Sequence, residues 1–213
     1  MSVQPRLRMQ FDDARQQFDA AKLGMWAFLA TEILLFGGLF CVYFFYRAQY
    51  APGFVAASRH TDVALGTVET IVLITSSLTM ALAIRAVRMN RTRAVSMLLI
   101  STIVLGGIFI AIHAREYVTE FHEHLFPGQE FDAGLASVAG TQLFFLLYYA
   151  TTSLHGLHVC IGIGTLTILQ IQHAHRRFDT AYYTPLELGG LYWHLIDIVW
   201  IFVFPLFYLV QRP

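Results

Sequence analysis

Between Asp132 and Arg176 the chain reads AGLASVAGTQLFFLLYYATTSLHGLHVCIGIGTLTILQIQHAH (residues 133–175), 43 residues without an Asp, Glu, Lys or Arg. A helix crosses the hydrocarbon of a bilayer, about 30 Å, with about 20 mostly apolar residues. The run is therefore longer than one span. It holds either one long helix with a polar entry or a tight two-helix hairpin turning near TTSLHGLH. A turn inside hydrocarbon would strand backbone N–H and C=O groups. The expected form is one long helix near 140–171, entered through FDAGLASVAG.

The same reading extends in both directions. Lys22 to Arg47 leaves 24 residues broken only by Glu32, and Asp62 to Arg85 leaves 22 broken only by Glu69. Arg93 to Arg115 leaves 21 with no charge, and Glu187 to Arg212 leaves 24 broken only by Asp197. The expectation is an all-α polytopic membrane protein. Residues 1–21 form a cytoplasmic N-terminal tail, and residues 22–213 form a single bundle of five transmembrane helices near 23–46, 63–84, 95–115, 140–171 and 188–210. Lys and Arg fall ten on the side of the N-terminus and four on the other. The positive-inside rule then puts the N-terminus in the cytoplasm and the C-terminus outside.

Composition agrees with lipid as the solvent. Hydrophobic residues make up 56% of the 213 residues and charged residues 13%, half of what covers a soluble domain. The 14 basic and 14 acidic residues cancel, so nothing points to nucleic acid as a partner. The first 21 residues have no apolar h-region, so no cleaved signal peptide is expected. Cys41 and Cys160 lie in apolar stretches and read as small hydrophobes, not as a disulfide. The P-loop, the nucleophile elbow and a closely spaced Cys/His cluster are missing from the sequence. No internal repeat suggests an inverted-repeat transporter.

Ionisable groups at membrane depth are costly, which makes each a functional candidate. Glu32, mid-way through the first span, is expected as a mostly neutral carboxyl, either buried between helices or part of a proton or lipid-cleft site. Glu69 lies nearer an end of span two, where water could reach it. The hydroxyls of Thr70, Thr75, Ser76, Ser77 and Thr79 read as helix-packing groups. On span four, Thr151, His155, His158 and Gly162 share an arc of about 60° at 100° per residue, a stripe that faces protein. On span five, Glu187 and His194 share a face, and Asp197 has His194 as its nearest partner. A haem between His158 and His194 would need them at one depth; counted from the cytoplasmic ends they differ by roughly 12 Å. No metal is therefore expected on this chain. Tyr192 and Trp193 fit the headgroup-level aromatic belt. Arg176 and Arg177, with His173 and His175, read as a lipid-headgroup cluster. His122 and His124, beside Glu120 and Glu123, read as a solvated outer loop.

Four stretches resemble subunit III of the haem–copper oxidases. GMWAFLATEILLFGGLFCVYF resembles the pattern around the family's membrane glutamate, which falls on Glu32. ETIVLITSSLTMALA resembles the family's hydroxyl-rich helix, with Glu69-Thr70 where Asn-Thr is usual. HAREY resembles a Gln-x-x-Glu-Tyr pattern, with His113 in the Gln position and Glu116-Tyr117 matching. LHGLHVCIG followed by ELGGLYWHLIDIVW matches on His155, Gly156, His158, Val159, Gly162, Glu187, Tyr192, Trp193, His194, Asp197 and Trp200. The resemblance covers about residues 22–210 and is to the five-helix bacterial form. It implies a non-catalytic subunit of a respiratory terminal oxidase in the bacterial inner membrane. It also implies haem and copper in partner subunits, none on this chain, and structural phospholipid. The implied partners are subunit I as the main contact, reached in part through the helix and subunit interface of Thr151, His155, His158, Gly162, Glu187, His194 and Asp197, with subunit II and a small subunit IV. Donor choice, cytochrome c or quinol, stays open. Two other readings remain: the accessory subunit of a bacterial nitric oxide reductase, and a proton-coupled transporter using Glu32 and Asp197.

Overall fold

A computed structural model describes residues 9–128, 131–175, 178 and 182–210. Asp13 opens the first helix, accepting from the Gln16 N–H at 2.7 Å, and α1 runs Ala14–Gln49. It starts well before the apolar run, so the helix extends into the stretch read as a tail. The short α2, Ala51–Ser58, turns the chain. Asp62 caps α3, Val63–Arg88, by accepting from Ala64 and Leu65 N–H at 2.9 and 3.1 Å. A tight turn with Asn90 at φ 55 leads into α4, Thr92–His122. A single turn, α5 (Ala133–Ala136), follows, capped by Asp132. Gly140, at φ 96, admits the chain to α6, Thr141–Ala174. The 43-residue uncharged run is thus one long helix behind a short polar entry. Pro185 lies in the first turn of α7, Thr184–Tyr208, where a missing N–H costs nothing.

Among the described residues five helices are long and apolar enough to cross a membrane, and the chain is a multi-pass membrane protein. Their buried residues recur at alternating spacings of three and four. On α3 these are Gly66, Glu69, Leu73, Ser76, Met80, Ala83 and Val87. On α4 they are Val95, Leu99, Thr102, Gly106, Phe109, His113, Glu116 and Glu120, and on α7 Leu186, Gly189, Trp193, Ile196, Trp200, Val203 and Phe207. This 3.5-residue period keeps one seam facing its neighbours along a left-handed bundle. α3 packs on α4 and α7, α6 packs on α4 and α7, and the four close a ring around the core. α1 leans on α6 and α7 from outside. Its apolar window is 17% buried against 50% for α7, so α1 is the peripheral helix and α7 the central one.

Two boundaries change what the polar residues do. α4 continues to His122, so Glu116 and Glu120 stay on a helix, and Glu120 is buried. It does not belong to a solvated loop, whereas His122, Glu123 and His124 are exposed. Glu69, expected within reach of water, is 0% exposed, because α3 presents it at a seam position.

Candidate functional site

The α6 stripe meets the start of α7. Thr151, His155 and Gly162 are buried, and Gly162 lets the helices approach. A Cβ there would lie 2.9 Å from the Trp193 ring, and one at Gly106 of α4 would lie 2.7 Å from the same ring. Trp193 is therefore a wedge between two glycines. It is 1% exposed, and its indole N–H donates to Ser76 Oγ at 3.1 Å. That overturns its assignment to the lipid headgroup region. Tyr192 is buried too and donates to the His158 carbonyl at 3.2 Å. The belt reading fails because α7 already begins at Thr184, which sets both aromatics more than two turns inside the helix.

Glu32 and His158 find each other across 126 positions of sequence. Glu32 Oε2 lies 2.9 Å from His158 Nε2, each side chain being 13% exposed. His158 Nδ1 is 2.7 Å from the Leu154 carbonyl. A carbonyl only accepts, so Nδ1 carries a proton. The contact between Nε2 and Oε2 then needs one more proton, held as a neutral acid on a neutral imidazole or as a carboxylate–imidazolium pair. The pair is a one-proton site joining α1 to α6, and both ring nitrogens of His158 are engaged.

The remaining α7 groups are read by hydroxyls on α3. Ser77 Oγ lies 2.8 Å from His194 Nδ1, and Trp200 donates its indole N–H to Thr70 Oγ1 at 3.1 Å. Thr79 bonds Thr102 of α4 at 2.8 Å. The packing role expected for the α3 hydroxyls holds for Thr70, Ser76, Ser77 and Thr79, whereas Thr75 is exposed and donates to the Ile71 carbonyl of its own helix. His194 takes Ser77 rather than Asp197, its expected neighbour in the same helix. Asp197 is buried with no hydrogen bond to either oxygen among the described residues. Glu187 pairs with Arg88 at the opposite end of α3. His155 is wholly buried, with ring centroids 5.5 Å from Phe109 and 5.1 Å from Trp200. His155 and Asp197 are turned away from the outer surface, whereas Glu187 is part-exposed at the helix end and His194 borders the groove between α1 and α7.

One cluster escaped the sequence reading as a cluster. Glu69 of α3 and His113 and Glu116 of α4 each bring one donor atom within 4.8 Å of the others, all three buried. The spacing of His113 and Glu116 on the α4 seam, successive steps from Phe109, was the available signal. Arg176 and Arg177 lie outside the described residues. Cys41 and Cys160 are unpaired and exposed. Between α1 and α7 a groove of about 460 Å³ is lined by Trp26, Ile33, Phe40, Leu191, Leu195 and Phe202, among others.

Known proteins are similar to this chain in sequence. Residues 10–211 match the family described as cytochrome c oxidase subunit III. A quinol oxidase subunit 3 of Bacillus subtilis (strain 168) is 31% identical over 188 residues, covering 88% of this chain and 86% of that protein. A cytochrome c oxidase subunit 3 of Alkalihalophilus pseudofirmus is 33% identical over 188 residues, covering 88% and 85%. A heme-copper oxidase subunit I+III of Aeropyrum pernix is 33% identical over 205 residues, covering 90% of this chain and 23% of that longer protein.

Proposed function

The chain belongs to the cytochrome c oxidase subunit III family and is a subunit III of a respiratory haem–copper oxidase, and from that premise we propose that it works as a packing subunit without a redox centre of its own. The observation that carries this is the use made of its membrane histidines. His158 is held by Glu32 and the Leu154 carbonyl, and His194 by Ser77. The histidine pair weighed for haem is engaged in joining helices. Haem, copper, oxygen reduction and proton pumping then belong to subunits I and II.

Subunit I is the proposed main contact. A relative named as subunit I+III supports that choice, since a single protein carrying both names needs the two regions together. The relatives named above are oxidase subunits, which favours this assembly over a nitric oxide reductase. Subunit II and a small subunit IV complete the proposed complex, in the bacterial inner membrane with the N-terminus cytoplasmic. The almost wholly apolar α1–α7 groove suits a phospholipid acyl chain, and Arg176 and Arg177 would meet headgroup phosphate. Glu32, with its one-proton link to His158, sits on the helix beside that groove and supports proton uptake by its partners.

Purification through a tag on this chain tests the assembly. The expected preparation contains haem absorbance and an oxidase subunit I. A preparation containing only this chain, free of haem-bearing partners, would point to the transporter reading instead.

A further inference from the structure

Glu69, His113 and Glu116 stand on the α3 and α4 seams, whose other buried positions, Glu120 apart, hold glycine, apolar or hydroxyl side chains. His113 Nδ1 is 3.4 Å from Glu69 Oε1 and 3.7 Å from Glu116 Oε2. Neither contact is a hydrogen bond. Both oxygens of Glu69, both ring nitrogens of His113 and Oε1 of Glu116 have no hydrogen-bond partner among the described residues. Five unsatisfied polar atoms in one buried place are expensive, and no Lys or Arg pairs with them among the described residues.

We propose that Glu69, His113 and Glu116 form a binding site for one divalent cation of the zinc class. The sequence alone led to no metal on this chain; the convergence of two helices is the reason to depart from that. Ligand bonds of about 2.0–2.2 Å in a tetrahedral shell put neighbouring donor atoms about 3.3 Å apart. The two His113 contacts are close to that edge length. Two carboxylates and a neutral imidazole balance a charge of +2, so the filled site is neutral in a medium that penalises net charge. The usual outer layer is also present. Tyr208 donates to Glu116 Oε2 at 2.7 Å and is itself 3.0 Å from the Tyr148 hydroxyl, and such contacts fix a ligating carboxylate. Phe109 stacks on His113 at 5.7 Å and Trp200 meets it edge-on at 5.7 Å, holding the ring in place. Glu120, one turn on, is buried beside the Tyr148 and Tyr149 hydroxyls.

The test is elemental analysis of the complex purified through this chain, comparing wild type, Glu69→Gln, His113→Gln and the double Glu69→Asn/His113→Gln. The double variant puts neutral amides at both positions, and the haem absorbance of each preparation reports whether the complex has assembled. His122→Gln/His124→Gln in the exposed segment is the control. Copper and iron of partner subunits contribute equally to every sample. The expected result is one zinc-class ion per chain in wild type and control, lost from the three site variants. X-ray absorption at the metal edge should show a nitrogen and oxygen shell without sulfur. Wild type without such an ion, equal content in all samples, or loss confined to the control would each overturn the proposal. So would a sulfur-containing shell.

Discussion

Gly162 and Gly164 are two residues apart on α6 and have opposite surroundings. A Cβ at Gly162 would press on Trp193, whose far side is closed by Gly106, while nothing lies within 4 Å of a Cβ at Gly164. The ring has no direction in which to yield. Gly162→Ala should therefore destabilise by about 1–3 kcal/mol, the cost of overpacking, and Gly164→Ala should cost nothing. Thermal unfolding of the two variants in one detergent checks the difference, and equal midpoints would remove Trp193 from its role as wedge. Glu32 makes a second residue-level prediction. Among the described mid-span carboxyls it keeps 13% exposure, whereas Glu69 has none and Glu116 and Asp197 are nearly closed off. A hydrophobic carbodiimide, which reaches carboxyls from the lipid side and takes up their oxygen at its central carbon and their proton at nitrogen, should modify Glu32 first. Glu32→Gln should abolish that labelling while keeping a hydrogen bond to His158. Peptide mapping that finds the label on Glu69 or Asp197 and spares Glu32 would mean the α1–α6 seam is more tightly sealed than this structure has it.

At the scale of elements, α7 is held on α3 by two kinds of contact that respond differently to salt. Ser77 meets His194 inside the bundle, and Arg88 meets Glu187 at its end, where the side chains are 56% and 18% exposed. Interhelical hydrogen bonds in membranes average about 0.6 kcal/mol, and exposed ion pairs contribute about 0–1 kcal/mol and are screened. Ser77→Ala should lower stability by about the same amount at low and high salt, whereas the cost of Arg88→Gln should vanish in 1 M salt, where the Debye length is about 3 Å. Denaturation curves at the two salt concentrations separate them. How far such contacts were legible depends on what a charge gap encodes. Gaps located the five helices and favoured one long α6, because an unpaired backbone in lipid is costly. They say nothing of which faces meet, so Glu32 and His158 were each singled out without being joined. They also treated a charge as a helix end, which stopped span three at Arg115 and left Glu120 in solvent. The three-and-four spacing from Val95 to Glu120 runs straight through that boundary. Followed on its own terms, it would have put both glutamates on the buried seam. Trp193 failed for the related reason that depth was counted from the wrong starting residue.

Taken whole, the molecule buries several mid-span ionisable groups within an apolar core and leaves further apolar side chains on its outer face. Thr151, His155, Asp197, Glu69 and Glu116 are buried, while Ile33, Leu34, Phe44 and Phe45 of α1 stand exposed. The stripe on α6 was expected to reach another subunit in part; the structure places its residues in helix interfaces of this chain. Contact with subunit I would then be made by apolar faces. In membranes apolar side chains prefer protein to lipid only through packing, with no hydrophobic drive, so the interface should come apart in detergent without unfolding either partner. Removing the chain should leave the haem and copper sites of subunits I and II intact and initial oxygen consumption near normal. What should change is endurance. Detergent or lipid would replace a fixed protein surface beside subunit I, and packing near its proton entry would lose a rigid neighbour. Activity should decline progressively over many turnovers, and proton uptake should slow at high pH, where protons are scarce. Oxygen uptake followed with and without this chain, at two pH values, is the measurement. A preparation that keeps full activity throughout would deny the chain any supporting role. Immediate loss of haem reduction on its removal, with subunits I and II still folded, would mean that electrons pass through the chain.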